Sequence, residues 1–233
     1  MIRLVLFDID GTLVHTGGAG IKAFARAFAT EFGIVDGTEK LKFAGRTDVS
    51  LVREFFLHNR IDTTRDNFDR FFRVYLHWLE QIILESEGGI CPGIHPFMEE
   101  MRALPEPPAI GLLTGNIRRG AEIKLSKFNL WQEFPFGAFA DDHEERDCIA
   151  AIARERGSFF LKRTLKDDEV LVIGDTPLDI RCARAINARV LAVATGGASY
   201  DELKSHNPDW LVKNLTQISA RQICHGLPVT APS

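Results

Sequence analysis

Paired cysteines are missing from this sequence. The four cysteines stand far apart and form no C-x-x-C pair: Cys91, Cys148, Cys182 and Cys224. This spacing argues against a disulfide framework and against a structural zinc site. We therefore expect the cysteines to be small, buried or half-buried side chains that fill space.

Long apolar runs are missing as well. The first run ends at Asp8, too early for the apolar part of a signal peptide, and no later run approaches the roughly 18 residues of a membrane span. We therefore expect a cytoplasmic protein with no membrane partner. Apolar side chains still make up 45% of the chain, enough for one large α/β domain or a domain with an insert.

Blocks of like charge are also absent. The 233 residues hold 28 Lys and Arg against 32 Asp and Glu, a net charge of -4. Nucleic acid is bound through basic surfaces, so we expect no nucleic-acid partner. Any anionic ligand must be attracted by charges placed locally. The expected assembly is a monomer or a homodimer.

Short apolar runs, each followed by a helical pattern, recur along the chain. The runs are RLVLF (3–7), AIGLL (109–113), EVLVIG (169–174) and RVLAVA (189–194), with weaker ones at FGAF (136–139) and PDWLV (208–212). Helical patterns occupy 94–104, 118–128, 145–156, 177–186 and 200–206. This alternation predicts an α/β fold with a mostly parallel, Rossmann-like sheet.

The interval from 16 to 86 breaks this alternation. It contains three helical patterns rich in phenylalanine and no convincing strand, which predicts an inserted all-helical domain with an aromatic core. The expected division is a core domain of residues 1–15 and 87–233 with an insert at 16–86. Stretch 157–168 is interpreted as a surface extension, and GLPVTAPS (226–233) as a frayed tail.

Polar side chains follow three of the predicted strands. Asp8 and Asp10 follow the first, the segment 114–116 follows the second, and Asp175 closes the run 169–174. In a parallel sheet these strand ends meet at one edge, where ligands bind. Crowded carboxylates would repel one another unless a cation neutralised them, so we expect a hard divalent ion, most simply Mg²⁺.

Each of these segments also has a purely structural interpretation. The stretch 8–12 fits a strand-to-turn connection with Asx hydrogen bonds. Thr176, Pro177 and Asp179 fit the start of a helix, and 114–116 fits another helix cap. Capping does not explain Asp175, a carboxylate at the end of an apolar strand. The coincidence at three strand ends therefore favours a site.

The same segments resemble a known family. DIDGTL (8–13), LLTGN (112–116) and IGDTPLDI (173–180) are similar, in order and spacing, to three signature motifs of the haloacid dehalogenase superfamily of phosphatases. The resemblance is strongest to its phosphoglycolate phosphatase and β-phosphoglucomutase group. It covers essentially the whole chain, although the helical cap matches in kind more than in sequence.

The resemblance implies a mechanism and a set of roles. Asp8 is the expected nucleophile that forms an aspartyl-phosphate, and Asp10 the expected general acid and base. Mg²⁺ would be held by Asp8, the backbone carbonyl of Asp10 and Asp175, with Asp179 as a further ligand or the partner of a ligand. Thr114, with backbone N–H groups near Gly115 and Asn116, would hold the phosphoryl oxygens.

The family also uses a basic residue to balance the phosphoryl charge. The stretch ADDHEERDCIAAIA (140–153) resembles the variant in which an arginine has this role, which points to Arg146. A surface arginine paired with Glu144 or Glu145 is the alternative, with Lys124 and Lys127 as further candidates for the role.

Substrate choice is expected to come from the insert. In FAGRTDVSL (43–51), Gly45 permits a tight turn and Thr47 or Asp48 can cap the next helix, which leaves Arg46 without a structural role and presented at the turn. Arg46 is then a candidate for a substrate carboxylate, hydroxyl or second phosphate, or else a solvated side chain.

The leading functional prediction is a Mg²⁺-dependent phosphatase of a small phosphorylated metabolite. A phosphomutase of the β-phosphoglucomutase type is the nearest alternative, because it would use the same two aspartates. A binding protein that has kept the fold without catalysis is a third possibility, against which the intact Asp8 and Asp10 argue.

Overall fold

A computed structural model describes residues 1–225; the predicted frayed tail at 226–233 lies outside the described residues. These described residues form eight strands, numbered in chain order: β1 Leu4–Phe7, β2 Val14–His15, β3 Gly89–Ile90, β4 Ala109–Leu113, β5 Gly137–Ala138, β6 Val170–Gly174, β7 Arg189–Val193 and β8 Trp210–Val212. Six of them make one parallel sheet in the order β5-β4-β1-β6-β7-β8.

Helices connect the strands and supply the insert. They are α1 Ala19–Phe32, α2 Asp48–His58, α3 Arg65–Glu85, α4 Ile94–Arg102, α5 Arg118–Ser126, α6 Arg146–Phe160, α7 Pro177–Ala185, α8 Tyr200–Ser205 and α9 Ala220–His225. Among residues 1–225, no helix combines the length and the apolar character needed to cross a membrane.

Strand β1 lies at the centre of the sheet and is buried along its whole length. Leu6 pairs with Gly111 of β4 on one side and with Val172 of β6 on the other. When helices cover both faces of a parallel sheet, each strand appears in the sequence as a continuous apolar run. These strands were predictable from sequence for that reason. The register brings the carboxyl ends of β1, β4 and β6 to the same edge.

Two apolar clusters fill the faces of the sheet. Val5 and Phe7 of β1 belong to the cluster that also contains α4, whereas Leu4 and Leu6 belong to the cluster on the opposite face. Alternate side chains of one strand therefore anchor both layers of helices, as the two-residue period of a strand requires. The prediction of an α/β, Rossmann-like sheet is confirmed.

The helices α1, α2 and α3 form an aromatic cluster of their own between β2 and β3. Phe28 is fully buried at its centre, with ring centroids 4.3 Å from Phe55, 4.5 Å from Phe71 and 5.7 Å from Phe56. This arrangement matches the three predicted helical patterns. The cluster also takes in Ile117 from the other part of the chain.

Some details differ from the sequence predictions. Helix α6 runs to Phe160, beyond the predicted end, and the buried Gly157 lets it pack closely against Leu4, so only the remainder of 157–168 is a surface extension. Cys148 is exposed and does not fill space, because it lies on the face of α6 opposite its buried residues. The antiparallel pair β2-β3 was too short to predict.

We expect Phe28→Ala to lower the free energy of unfolding by about 3–5 kcal/mol, because it removes a buried ring and leaves a cavity in the aromatic cluster. Urea denaturation followed by circular dichroism measures this loss. Phe159→Ala is the matched control, since Phe159 is 87% exposed and its removal should change stability by no more than about 0.5 kcal/mol. Equal losses in the two variants would contradict the packing described here.

Candidate active site

A cavity of about 350 Å³ lies between the carboxyl edge of the sheet and the helical insert. Its walls combine strand-end residues with residues of α1, α2, α3 and the turn before α2. Every residue predicted for the site except Asp179 lines it: Asp8, Asp10, Arg46, Thr114, Gly115, Asn116, Arg146 and Asp175. Asp179 lies directly behind this lining, against Arg146.

The two aspartates at the end of β1 have different surroundings. Asp8 is buried, and its Oδ1 lies 3.1 Å from a guanidinium nitrogen of Arg146. Asp10 follows on the same side of the extended chain, and 42% of its side chain is exposed. Its Oδ2 accepts hydrogen bonds from Asn116 Nδ2 at 2.8 Å and from Lys124 Nζ at 2.7 Å.

Asp175 is held at the end of β6 by two donors. Thr12 Oγ1 donates to its Oδ1 at 2.9 Å, and the backbone N–H of Gly197 donates to its Oδ2 at 2.9 Å. A Cβ atom at Gly196 would lie only 1.8 Å from Oδ2, so the loop after β7 can reach this carboxylate only with glycine at that position.

Asp179 closes the first turn of α7 and also binds an arginine. Its Oδ2 accepts from the backbone N–H and the hydroxyl of Thr176, at 3.0 and 2.7 Å, and Thr176 caps the helix in return. Its Oδ1 accepts from Arg146 at 2.5 Å. The capping interpretation of Thr176 is therefore correct, but Asp179 has a second contact that capping does not explain.

Three buried carboxylates are thus crowded together. One oxygen from each of Asp8, Asp175 and Asp179 lies within 4.8 Å of the others, a group that could hold a metal ion. Burial raises the pKa of Asp8 from 3.8 to about 6 despite Arg146, and burial together with Asp179 raises the pKa of Asp175 well above its usual range. A divalent cation would offset the repulsion among these carboxylates, and a site made only of oxygen ligands suits Mg²⁺.

The carboxylate of Asp10 lies outside this group, because Asn116 and Lys124 hold it. Asn116 also donates to Thr114 Oγ1 at 2.8 Å, and its Oδ1 accepts from Lys124 Nζ at 2.5 Å. Thr114, Asn116, Lys124 and Asp10 therefore form one connected network after β4. Lys127, the other candidate lysine, instead donates to Ser86 O at 2.5 Å and does not line the cavity.

Arg146 is buried at the first residue of α6, and the alternative of a surface arginine paired with Glu144 or Glu145 is wrong. Besides Asp8 and Asp179 it binds the carbonyl oxygen of Gly45 at 3.0 Å. Its Nε is buried and has no hydrogen-bond partner among the described residues.

The turn before α2 docks the insert onto the other part of the chain. The backbone N–H of Asp48 donates to Gly115 O at 2.7 Å, and its Oδ2 accepts from the N–H of Ile117 at 2.8 Å. Thr47 caps α2 and donates its hydroxyl to Glu144 O at 2.8 Å. Arg46 lines the cavity while pairing with Glu54 at 2.5 Å.

Sequence reasoning missed three residues of this site. Thr12 and Gly197 orient Asp175, and Asp48 was considered only as a helix cap. Thr12 lies two residues after Asp10, so its polar side chain could have been included with the strand-end group. No local signal marks Gly197 or the second contact of Asp48, because both depend on how distant loops meet.

Residues 5–193 match the family model described as haloacid dehalogenase-like hydrolase, and the chain belongs to that family. The predicted class of enzyme, a phosphatase of this family, is confirmed.

Relatives and solved structures agree with this assignment over most of the chain. The pyrophosphatase PpaX of Oceanobacillus iheyensis is 25% identical over 93% of this chain and 95% of its own. The phosphoglycolate phosphatase of Photorhabdus laumondii is 23% identical, over 93% of this chain and 91% of its own. The crystal structure of CbbY from Rhodobacter sphaeroides with phosphate has a TM-score of 0.73, with 20% identity over 95% of this chain and 96% of its own.

Without divalent cations, we expect the stability of the folded protein to fall as the pH rises from about 4 through about 6. The folded state binds the Asp8 proton more tightly than the unfolded chain does. Protonation of Asp8 therefore contributes fully to the free energy of unfolding below pH 3.8, and this contribution is lost as the pH rises past about 6. Melting temperatures measured in EDTA across this range give the slope. Asp175→Asn removes one of the repelling charges and should make the melting temperature depend less on pH. Asp168→Asn, at an exposed position, should leave that dependence unchanged. Identical slopes in all three proteins would contradict this electrostatic account.

Proposed function

We propose that the protein is a Mg²⁺-dependent phosphatase that hydrolyses a small phosphomonoester through an aspartyl-phosphate on Asp8. The observation that supports this most directly is the convergence, at one cavity wall, of the buried group Asp8, Asp175 and Asp179 with the separately held Asp10. The family is one of hydrolases, and the relatives named above are phosphatases.

The first chemical step belongs to Asp8 and Asp10. An Asp8 oxygen attacks phosphorus, and the bond from phosphorus to the ester oxygen breaks on the opposite side. Protonated Asp10 gives its proton to the departing oxygen, which leaves as an alcohol. The half-exposed position of Asp10, two residues after the nucleophile, suits a group that must reach the leaving oxygen.

The second step hydrolyses the aspartyl-phosphate. The Asp10 carboxylate takes a proton from water while the water oxygen attacks phosphorus, and the bond to Asp8 breaks. Inorganic phosphate leaves, Asp8 is again a free carboxylate and Asp10 again carries a proton. One carboxylate acts as nucleophile and the other moves the proton in both steps.

Mg²⁺ would be held by Asp8, Asp175 and the backbone carbonyl of Asp10, with Asp179 as a further ligand or as the partner of Arg146. When bound, the ion would neutralise the buried carboxylates and polarise the phosphoryl group. Asp179 already satisfies both of its oxygens with Thr176 and Arg146, which favours the indirect role for this residue.

The phosphoryl oxygens would lie against Thr114 and the backbone near Gly115 and Asn116, with Arg146 balancing their charge. The cavity lining supports this assignment, because Thr114, Gly115, Asn116 and Arg146 all belong to it. Arg146 also touches both Asp8 and Asp179, so it can offset negative charge on the nucleophile side of the cavity.

The insert at 16–86 is proposed to be a cap domain over a core of residues 1–15 and 87–233. The separate aromatic cluster and the β2-β3 pair at its two connections support this division. A cavity of about 350 Å³ suits a small metabolite, and Arg46 is the proposed cap contact for a second polar group of the substrate. The relatives' substrates, pyrophosphate and phosphoglycolate, are both small and anionic.

We expect Asp8→Asn to abolish phosphate release from p-nitrophenyl phosphate, because the amide is not a competent nucleophile. Asp10→Asn should slow turnover of alkyl phosphates by about 10²–10⁴-fold, the usual effect of losing a general acid or base. A colorimetric phosphate assay measures both, with Asp168→Asn as the control for loss of a surface carboxylate. Undiminished turnover by Asp8→Asn would rule out the nucleophile assignment.

A panel of phosphorylated metabolites tests the substrate class and the mutase alternative. We expect phosphate release from one or more of phosphoglycolate, hexose phosphates, nucleotides and pyrophosphate, because the cavity and its cations suit a small anion. Transfer of labelled phosphate to a sugar with little release of inorganic phosphate would instead establish a phosphomutase.

We expect Mg²⁺ to raise the melting temperature of the wild-type protein and EDTA to reverse this, because a ligand that binds only the folded state stabilises it. The increase should be larger at pH 7.5 than at pH 5, since protons compete for Asp8 and Asp175. Differential scanning fluorimetry measures it without any substrate. Asp175→Asn should remove the effect, and an unchanged response in that variant would place the ion elsewhere.

A further inference from the structure

Two buried cations reach the cavity from different helices. Arg146 of α6 lies between Asp8 and Asp179, on the nucleophile side. Lys124 of α5 binds Asp10 and Asn116 and makes no ion pair with Asp8 or Asp179. If both cations served the transferred phosphoryl group, both would be expected beside Asp8.

We propose that Lys124 is a positioning residue that fixes the orientation of the Asp10 carboxyl group, so that its second oxygen faces the leaving group or water. This inference rests on the proposed function. Lys124 acts through Asp10 and does not itself contact the transferred phosphoryl group.

The hydrogen bonds around Asp10 are one-sided, which supports this role. Lys124 and Asn116 both donate to Oδ2, and Oδ1 accepts no hydrogen bond from the described residues. Asn116 is itself fixed by Thr114 and by Lys124, so the two donors hold each other in place. One oxygen is thereby anchored and the other is left for a leaving group or water.

The ammonium group of Lys124 is buried and held in place. The Lys124 side chain is only 6% exposed. Burial lowers its pKa, but the charges of Asp10 and Asp48 outweigh burial and raise it overall, so the group stays an ammonium at neutral pH. The buried ammonium group is therefore a permanent hydrogen-bond donor that holds Asp10 Oδ2 in one place.

Gly20 of α1 leaves the space that this ammonium group occupies. A Cβ at residue 20 would lie 3.3 Å from Lys124 Nζ and 3.5 Å from its Cε. An alanine there would fit the helix well but would press on the lysine by a few tenths of an ångström. Gly20→Ala therefore disturbs Lys124 without removing any of the proposed catalytic groups.

A double-mutant cycle tests the proposal on the full chain, with steady-state turnover of an alkyl phosphate from the panel as the readout. We expect Lys124→Met to lower kcat by about 100-fold in the wild-type background, the lower end of the effect of losing a general acid or base. In the Asp10→Asn background the same change should cost less than about 3-fold, because residues that act as a unit are not additive. Equal losses in both backgrounds would overturn the proposal.

The leaving group provides a second readout that a purely structural role would not move. The leaving group of p-nitrophenyl phosphate departs without a proton. Lys124→Met should therefore lower the burst rate constant less with p-nitrophenyl phosphate than with an alkyl phosphate. An equal decrease of the burst rate constant with both substrates would contradict the proposal that Lys124 acts through Asp10. Lys204→Met, at an exposed position on α8, is the control and should behave as the wild type.

Gly20→Ala serves if Lys124→Met does not fold. We expect it to lower kcat several-fold in the wild-type background and to have little effect in Asp10→Asn, whereas an equal effect in both would overturn the proposal. A wild-type protein that hydrolyses no phosphate ester would refute the proposed function and this role together. Additive losses in an active enzyme would refute the role of Lys124 alone.

Discussion

The crowding of three carboxylates at the carboxyl edge of the sheet is the constraint on which the rest of the site depends. Asp8, Asp175 and Asp179 each lose most of their hydration on folding, and burial is the largest cause of the raised pKa of Asp8 and Asp175. Such a group persists only where neighbouring donors and cations compensate. Thr12, Thr176 and Arg146 provide that compensation, and all three lie at element ends that the sheet positions.

How much of this could be predicted from sequence depends on the range of the interactions. Asp8, Thr114 and Asp175 each follow an apolar strand run, so strand periodicity and the rule for ligand sites in parallel sheets were enough to bring them together. Arg146 was found only through the family resemblance. The pairing of Lys124 with Asp10 joins residues 114 positions apart, and nothing in the pattern of α5 distinguishes Lys124 from Lys127. Their different roles arise from packing against α1 and α3.

The helical insert combines an apolar interior with a polar docking surface. Its own stability comes from the aromatic cluster around Phe28, which is predictable from helical spacing. Its placement depends on polar contacts of Asp48 with Gly115 and Ile117 and of Thr47 with Glu144, and on the Ile117 side chain, which packs into the aromatic cluster.

The same docking contact links the insert to the network that holds Asp10. Asp48 belongs to the insert, yet its charge is among the causes that raise the pKa of Lys124, and Lys124 in turn limits how far burial raises the pKa of Asp48 to about 6. Lys124 thus faces one carboxylate from each part of the chain, Asp10 and Asp48. Docking of the turn before α2 therefore adds a negative charge to the network that holds Asp10.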